Sequence, residues 1–216
     1  MKSFKKELLY IVIFTVTQLS ANDFRQAVAD YSEGAYIKAL NGFYTLAKEG
    51  NVLAQHNTAL MYTLGQGAQK DLTKAIKWYE KSAKQDHALS AYNLAQIYHA
   101  RGSKDMHAYE KAKFWYEKAI KGNIKEAYNN LATFYIEGIS VPKNTKKALE
   151  LLEKSAALGD TSGQVNLAVL YAWGEGIINN KMKAYENLKK ALDSGKNEAS
   201  QYLDKLCKES AWVCKD

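Results

Sequence analysis

Four asparagines recur at a nearly constant interval, and their side chains are the most regular source of binding chemistry in the sequence. Asn57, Asn93, Asn130 and Asn166 are separated by 36 or 37 residues. Each amide supplies a hydrogen-bond donor and an acceptor, so an aligned row could bind a ligand. The same amides could instead tie one repeat unit to the next, because buried amides usually find partners inside the protein. We predict a candidate binding column here, with the structural role as the alternative.

A second possible chemistry is that of an activated serine. The pattern Ser-x-x-Lys, the nucleophile element of serine β-lactamases, occurs at residues 3–6 and again at residues 140–143. That element must begin a helix and is accompanied by S-D-N and K-T-G elements, which occur nowhere in the sequence. The second match contains Pro142 and precedes Asn144, a predicted helix N-cap. We therefore interpret both matches as chance and predict no catalytic residue.

The histidines do not form a recognisable metal motif. His56, His87, His99 and His107 show no i, i+4 pairing with a carboxylate or with each other. Hydrogen bonding at the surface or between units is the favoured role for them. We expect neither a metal nor a cofactor.

The elements that position these residues are helices, because four columns repeat in register. A tyrosine and a small residue mark the first half of each unit, and a Lys-Ala pair begins the second half: Tyr62, Tyr98, Tyr135 and Tyr171; Ala59, Ala95, Ala132 and Ala168; Lys74, Lys111, Lys147 and Lys183. Apolar residues at helical spacing and the glycines at 65, 138 and 174 predict two antiparallel helices per unit. A lone pair cannot bury its apolar stripe, so the units should stack into an all-α solenoid.

The same patterns predict the helix bounds. A first helix is expected near Asp23–Glu33, followed after a short turn by a second that ends at Gly50. The second helices of the four longer units are expected near Asp71–Gln85, Met106–Lys121, Asn144–Leu158 and Asn180–Ser194. Arg101-Gly102-Ser103 replaces the Gly-x-Gly turn in one unit and predicts a longer loop. A last helix, about 197–209, should cap the array.

The N-terminus is typical of an export signal. Lys2, Lys5 and Lys6 precede an apolar run, Leu8–Val16, that is too short to span a bilayer, and Ala21 ends a plausible cleavage site. We predict an exported protein, periplasmic or secreted, that is not membrane-bound after cleavage. An uncleaved anchor and an ordinary first helix are the alternatives.

Charge and cysteines add two expectations. The formal charge is +7, but the basic residues are spread over helix faces without stacking aromatics, which disfavours nucleic acid as a partner and leaves an acidic protein or a polyanionic wall component possible. Cys207 and Cys214 predict a disulfide in an exported chain; a redox or metal role is the less favoured alternative. Seven residues on one straight helix rise about 10 Å, so the chain must turn between them, at Ser210.

The stretch from Tyr62 to Ala83, Tyr-x-x-Gly-x-Gly followed by Asp-x-x-Lys-Ala-x-x-Trp-Tyr-x-Lys-Ser-Ala, resembles the Sel1-like repeat, a relative of the tetratricopeptide repeat. The resemblance covers about residues 35–206. It implies a right-handed superhelix of adaptor type, and in related solenoids repeated Asn amides clamp an extended peptide. Exported members are similar to the Helicobacter cysteine-rich proteins, some of which are assigned β-lactamase or penicillin-binding activity. The paired cysteines of those repeats are absent here.

Together these observations predict a signal peptide at 1–21, a helix pair at 22–50 and four repeats at about 51–86, 87–123, 124–159 and 160–196. A capping helix and disulfide tail follow at 197–216. We expect an adaptor that binds a protein or peptide on a concave face lined by the first helices. The alternative is a β-lactam or penicillin-binding hydrolase.

Overall fold

The computed structural model describes residues 21–214, and every regular element in that range is helical. Residues 1–20, which hold nearly all of the predicted signal peptide and the first Ser-x-x-Lys match, lie outside the described range, as do residues 215–216. The helices are α1 (21–32), α2 (Tyr36–Lys48), α3 (Val52–Leu64), α4 (Leu72–Ala83), α5 (Ala88–Gly102), α6 (Met106–Lys121), α7 (Lys125–Glu137), α8 (Thr145–Ala157), α9 (Thr161–Trp173), α10 (Lys181–Asp193), α11 (Ala199–Glu209) and a 3-10 turn, Ala211–Cys214. The prediction of an all-α protein is confirmed. None of the helices within residues 21–214 is long and apolar enough to cross a membrane.

Side-chain caps begin the second helix of most units. Asp71 Oδ1 accepts from the backbone N–H of Lys74 at 2.9 Å, and Asn144 Oδ1 accepts from that of Lys147 at 2.9 Å. Each bond satisfies an N–H that has no partner within the first helical turn, which is why the helix begins there. The predicted cap at Asn144 is confirmed, and Asp71 caps the helix that was expected to begin there.

Glycines end two of the first helices in the left-handed conformation. Gly65 and Gly138 both have φ +76°, a region that other residues adopt only with strain. Gly174 also caps its helix, but with φ −70° and ψ 135°, so its chain leaves in an extended direction.

The chain divides into two compact units, one up to Ser90 and one from Ala91, so that the division falls inside α5. In the first unit α2, α3 and α4 pack in sequence order. Phe43, Met61 and Tyr79 fill their core and are at most 2% exposed. The loop between α3 and α4 returns against α2: a Cβ at Gly67 would lie 2.3 Å from the Tyr36 carbonyl oxygen.

In the second unit each helix from α6 to α11 packs on the next or the one after it. The predicted small-residue column explains the close approach: Ala132 and Ala168 are fully buried, as Ala59 is in the first unit and Ala95 is at the start of the second. Trp115 is 8% exposed and lies on the buried face of α6, and Trp78 has the same exposure in the first unit.

The prediction of a longer loop at residues 101–103 was wrong. The helix α5 continues through Gly102, and only residues 103–105 form the turn, so the longer spacing becomes extra helix rather than extra loop. The Tyr109 ring packs directly against Gly102, so that a Cβ at this position would be 2.2 Å from Tyr109 Cδ1. The close ring accounts for glycine at this position without a turn.

The C-terminal segment folds back as the cysteine spacing predicts. The helix α11 ends at Glu209, and Ser210 leaves helical geometry with φ −150° and ψ 63°. The 3-10 turn that follows brings Cys214 to Cys207, and the two are joined by a disulfide with a Cα–Cα distance of 5.7 Å. This covalent loop closes the end of the last helix.

Candidate functional site

The four predicted asparagines lie on the first helices of their units, α3, α5, α7 and α9, and all are half-buried. Asn130 Nδ2 donates to Tyr116 Oη at 3.2 Å and so ties α7 to α6. Asn166 Nδ2 donates to Asn129 Oδ1 at 2.7 Å and ties α9 to α7. At these two positions the structural role is present. A ligand-binding role for the column stays a prediction.

The environment of Tyr116 shows that the Asn130 contact is an interior one. Tyr116 is 1% exposed, and burial raises the pKa of its phenol well above the ordinary value. The amide therefore satisfies a hydroxyl that has little access to water.

A cleft of about 500 Å³ opens beside Asn166, between α7, α9 and the turns that follow them. It is lined by Thr133, Ile136, Glu137, Lys143, Thr145, Asn166, Val169, Leu170, Trp173, Gly174 and Glu175. The Oδ1 of Asn166 can still accept a hydrogen bond when its Nδ2 donates to Asn129. The lining combines apolar side chains, one amide and charges of both signs.

Trp173 forms a fixed wall of this cleft. Its Nε1 donates to Glu209 Oε2 at 2.7 Å, and Lys205 Nζ lies 4.4 Å from the ring centroid. Ile136, on α7, is 37% exposed. Sequence reasoning did not select either residue. Each lies one or two positions after the repeat tyrosine and one or two positions before the helix-ending glycine, outside the apolar stripe. That position is the signal that could have identified them.

The second Ser-x-x-Lys match does not form a helix start. Ser140 has φ +54° and lies in the non-helical turn between α7 and α8. Lys143 packs its alkyl chain on Gly138, where a Cβ would be 3.0 Å from Lys143 Cγ. The helical turn that brings the lysine of this motif to the serine is therefore missing.

Two histidines of the first unit form a hydrogen-bonded cluster with serines. His56 Nδ1 lies 2.9 Å and His87 Nδ1 2.8 Å from Ser90 Oγ, and the two rings are 4.8 Å apart. Ser90 Oγ is 2.8 Å from Ser82 Oγ, whose hydroxyl donates to the Val52 carbonyl. Burial, and then the nearby His87, lower the pKa of His56 to about 4. The predicted hydrogen-bonding role is confirmed for these two histidines.

His99 has a similar role in the second unit. Its Nδ1 lies 3.1 Å from Tyr116 Oη, its ring packs edge-on against Phe134 at 5.0 Å, and burial lowers its pKa. His107 is exposed, with Nδ1 3.4 Å from Glu110 Oε2. Within residues 21–214 no three His, Cys, Asp or Glu side chains come together as a metal site.

Comparison with known proteins gives a family and a fold. The family model described as Sel1 repeat matches residues 52–87, 88–123, 125–160 and 161–196. None of the curated proteins searched matches the chain.

Solved structures are similar over most of the chain. A Sel1 repeat protein from Oxalobacter formigenes is 25% identical, with 86% of this chain and 73% of that one covered and a TM-score of 0.74. A protective antigen of uropathogenic Escherichia coli strains, which displays an SLR fold, is 24% identical over 91% of this chain, with a TM-score of 0.80; the match spans only 43% of that protein. The cysteine rich protein B of Helicobacter pylori is 27% identical over 62% of this chain and 96% of its own, with a TM-score of 0.49.

Proposed function

Because the chain belongs to the Sel1-repeat family, we propose that it is an exported adaptor that holds a protein or peptide partner against the first helices of its repeats. Sel1 repeats generally mediate protein–protein interactions. The partner contact proposed here is the cleft between α7 and α9.

The composition of that cleft is the observation that carries the proposal. Ile136, Val169 and Trp173 provide apolar and aromatic surface, and Asn166 provides an amide within the same cleft. Binding sites for peptides combine apolar anchors with a few convergent polar groups in this way. Lys143, Glu137 and Glu175 at the rim can select the charge of a ligand.

Two features support export. Residues 1–21 have the charge and hydropathy pattern of a signal peptide. The Cys207–Cys214 disulfide is stable in an oxidising compartment, such as the periplasm or the extracellular medium. Both features agree with a periplasmic or secreted adaptor.

The β-lactam hydrolase alternative has no observation in its favour. Its one candidate nucleophile in the described chain is Ser140, which lies in a non-helical turn. The adaptor proposal therefore stands as the conclusion.

The test is affinity capture by the mature protein from an extract of the exported fraction, with nitrocefin turnover measured on the same preparation. Ile136→Glu places a charge in the cleft, and Ile178→Glu makes the same change at a residue that is 93% exposed and does not line it. We expect one stoichiometric partner to bind the wild type and the Ile178→Glu variant but not the Ile136→Glu variant, without turnover. Turnover that survives purification, or partner binding indifferent to Ile136→Glu, would reject the proposal.

A further inference from the structure

The helix α4 presents a row of lysines along one side. Lys74, Lys77, Lys81 and the C-cap residue Lys84, here called the α4 lysine row, follow one another at spacings of three, four and three residues, and all four are exposed. Such spacings place side chains on one helix face. With a rise of about 1.5 Å per residue, the row is roughly 15 Å long.

The α4 lysine row borders an aromatic cleft in the first unit. The cleft has a volume of about 430 Å³ and is lined by the four lysines together with Tyr44, Tyr62, Trp78 and Glu80. The rings of Tyr44 and Trp78 meet edge to face at 5.6 Å. Lys81 Nζ lies 4.2 Å above Trp78, and Lys74 Nζ lies 5.2 Å above Tyr62.

These ring contacts orient the ammonium groups. A cation over an aromatic face is held by the ring quadrupole, so Lys74 and Lys81 are more restricted than ordinary surface lysines. Lys74 also lies 3.4 Å from Asp71, but Glu80 is the sole acidic residue that lines the cleft. Four ammonium groups therefore surround the cleft against one carboxylate.

The repeat itself does not require this row. The equivalent positions carry three lysines and a phenylalanine in α6 (111, 114, 118, 121), two lysines and one glutamate in α8 (147, 150, 154, 157), and two lysines and two acids in α10 (183, 186, 190, 193). The net formal charge of the row falls from +4 in α4 to zero in α10. The family fold tolerates acids at these places, so the α4 lysine row is particular to the first unit.

We propose that this cleft binds an acidic segment of a partner protein. The inference rests on the proposed adaptor function and adds a second contact surface, on second helices, with a defined partner chemistry. Carboxylates that recur every three or four residues on a helix have the same spacing as the lysines and can pair with several of them. Such pairing orients the partner and accelerates its association.

Other occupants fit less well. The cleft contains no arginine, the residue best suited to bidentate phosphate binding. Trp78 is 8% exposed and already covered by Lys81, so no open ring is offered for a stacked base. A second copy of this chain is itself basic, with or without residues 1–21, and would be repelled.

The test measures binding of a fluorescent alanine-based peptide, with glutamates at spacings of three, four and three residues, by anisotropy at low salt. In the Lys77→Glu/Lys84→Asp variant, α4 receives the acids that α10 has naturally at 186 and 193. The matched control, Lys146→Glu/Lys154→Asp, makes the same charge change at exposed positions of α8. A single-stranded oligothymidylate and vesicles of anionic phospholipid serve as rival ligands, and circular dichroism melting shows that each variant is folded.

We expect the α4 variant to bind the peptide about tenfold more weakly or worse, and the α8 control to bind nearly as well as the wild type. If both variants lost affinity equally, the net charge of the protein alone would account for peptide binding. If the α4 variant lost no affinity, the peptide would bind at another site. Either result overturns the inference. So would tighter, lysine-row-dependent binding of the oligonucleotide or the vesicles. The Ile136→Glu variant separates the two proposals, because Ile136 lines the cleft between α7 and α9 but not the aromatic cleft. This variant should still bind the acidic peptide, even if the cleft between α7 and α9 proves to have no partner.

Discussion

Acidification should destabilise the α3–α4 helix pair, because His56 is buried as a neutral imidazole. The side chain is 8% exposed, and its ring centroid is 4.8 Å from that of His87 and 5.6 Å from that of Tyr79. Its pKa is lowered from 6.5 to about 4, chiefly by burial. The unfolded chain therefore takes up a proton at a pH where the folded chain does not.

The sign and size of the effect follow from that difference. A lowered folded-state pKa gives stability that is complete above about pH 6.5 and is lost as the pH falls through about 4. Between pH 7.5 and pH 5, His56 alone should reduce the free energy of unfolding by about 2 kcal/mol. Burial also lowers the pKa of His87, which adds loss in the same direction.

The substitution His56→Asn removes the titrating group and keeps a polar amide near Ser90. Asparagine stands at the equivalent repeat position in α7, Asn129, so the helix can accommodate it. The control is His107→Asn, at an exposed position. Hydrogen exchange of α3 and α4 amides at the two pH values reports the local free energy of opening, and urea unfolding gives the global one.

We expect the wild type and His107→Asn to lose protection in α3 and α4 on acidification, and His56→Asn to lose about 2 kcal/mol less. If His56→Asn weakened as much as the wild type between pH 7.5 and pH 5, the neutral buried histidine would not be the cause, and the reasoning would be refuted.

Three further substitutions test the packing. Gly67→Ala should cost about 1–3 kcal/mol of stability in urea unfolding, because φ is +77° and the new Cβ would meet the Tyr36 carbonyl. Replacing Cys207 and Cys214 by serine should cost about 2.5 kcal/mol on the chain-entropy estimate, seen as a lower denaturation midpoint and faster exchange in the last helix. Asn130→Ala should lower the melting temperature through a loss of about 1–2 kcal/mol, because a buried tyrosine hydroxyl loses its donor.

Controls for these substitutions are available in the same chain. A Cβ at Gly50 would meet no atom within 4 Å, and φ there is +100°. Gly50→Ala should therefore lower stability through backbone strain alone, without the steric clash expected for Gly67→Ala. Reduction of the wild type should reproduce the double serine variant. An Asn130→Ala protein that melts like the wild type but loses its partner would show that the amide serves the ligand and not the fold.

The helices could be predicted closely because their signals are local. Asp71 and Asn144 bond to backbone groups three residues away, and Gly65 and Gly138 adopt a conformation that their own residue type permits. The exception is Gly102, which was interpreted as part of a turn. The reason for a glycine there is the close Tyr109 ring, seven residues further along the chain.

The candidate sites could be predicted only in part. The repeat interval correctly placed the four asparagines on first helices, but not the donors and acceptors that Asn130 and Asn166 meet, nor the cleft beside Trp173. The lysines of α4 were visible in the sequence, but they were counted only among basic residues spread over helix faces. Their relation to Tyr44 and Trp78 depends on how α2 packs against the rest of the first unit.

By itself, the sequence determined an all-α chain of repeated helix pairs, most of its helix ends and its cysteine pair, because periodicity, caps and turn residues act over a few positions. Tertiary structure decided which amides are engaged inside the protein, why His56 stays neutral and where the two clefts open. Those properties depend on contacts between residues more than thirty positions apart, such as His56 with Ser90 and Asn166 with Asn129. Burial and distance across helices set their energies, and neither quantity exists until the helices have packed.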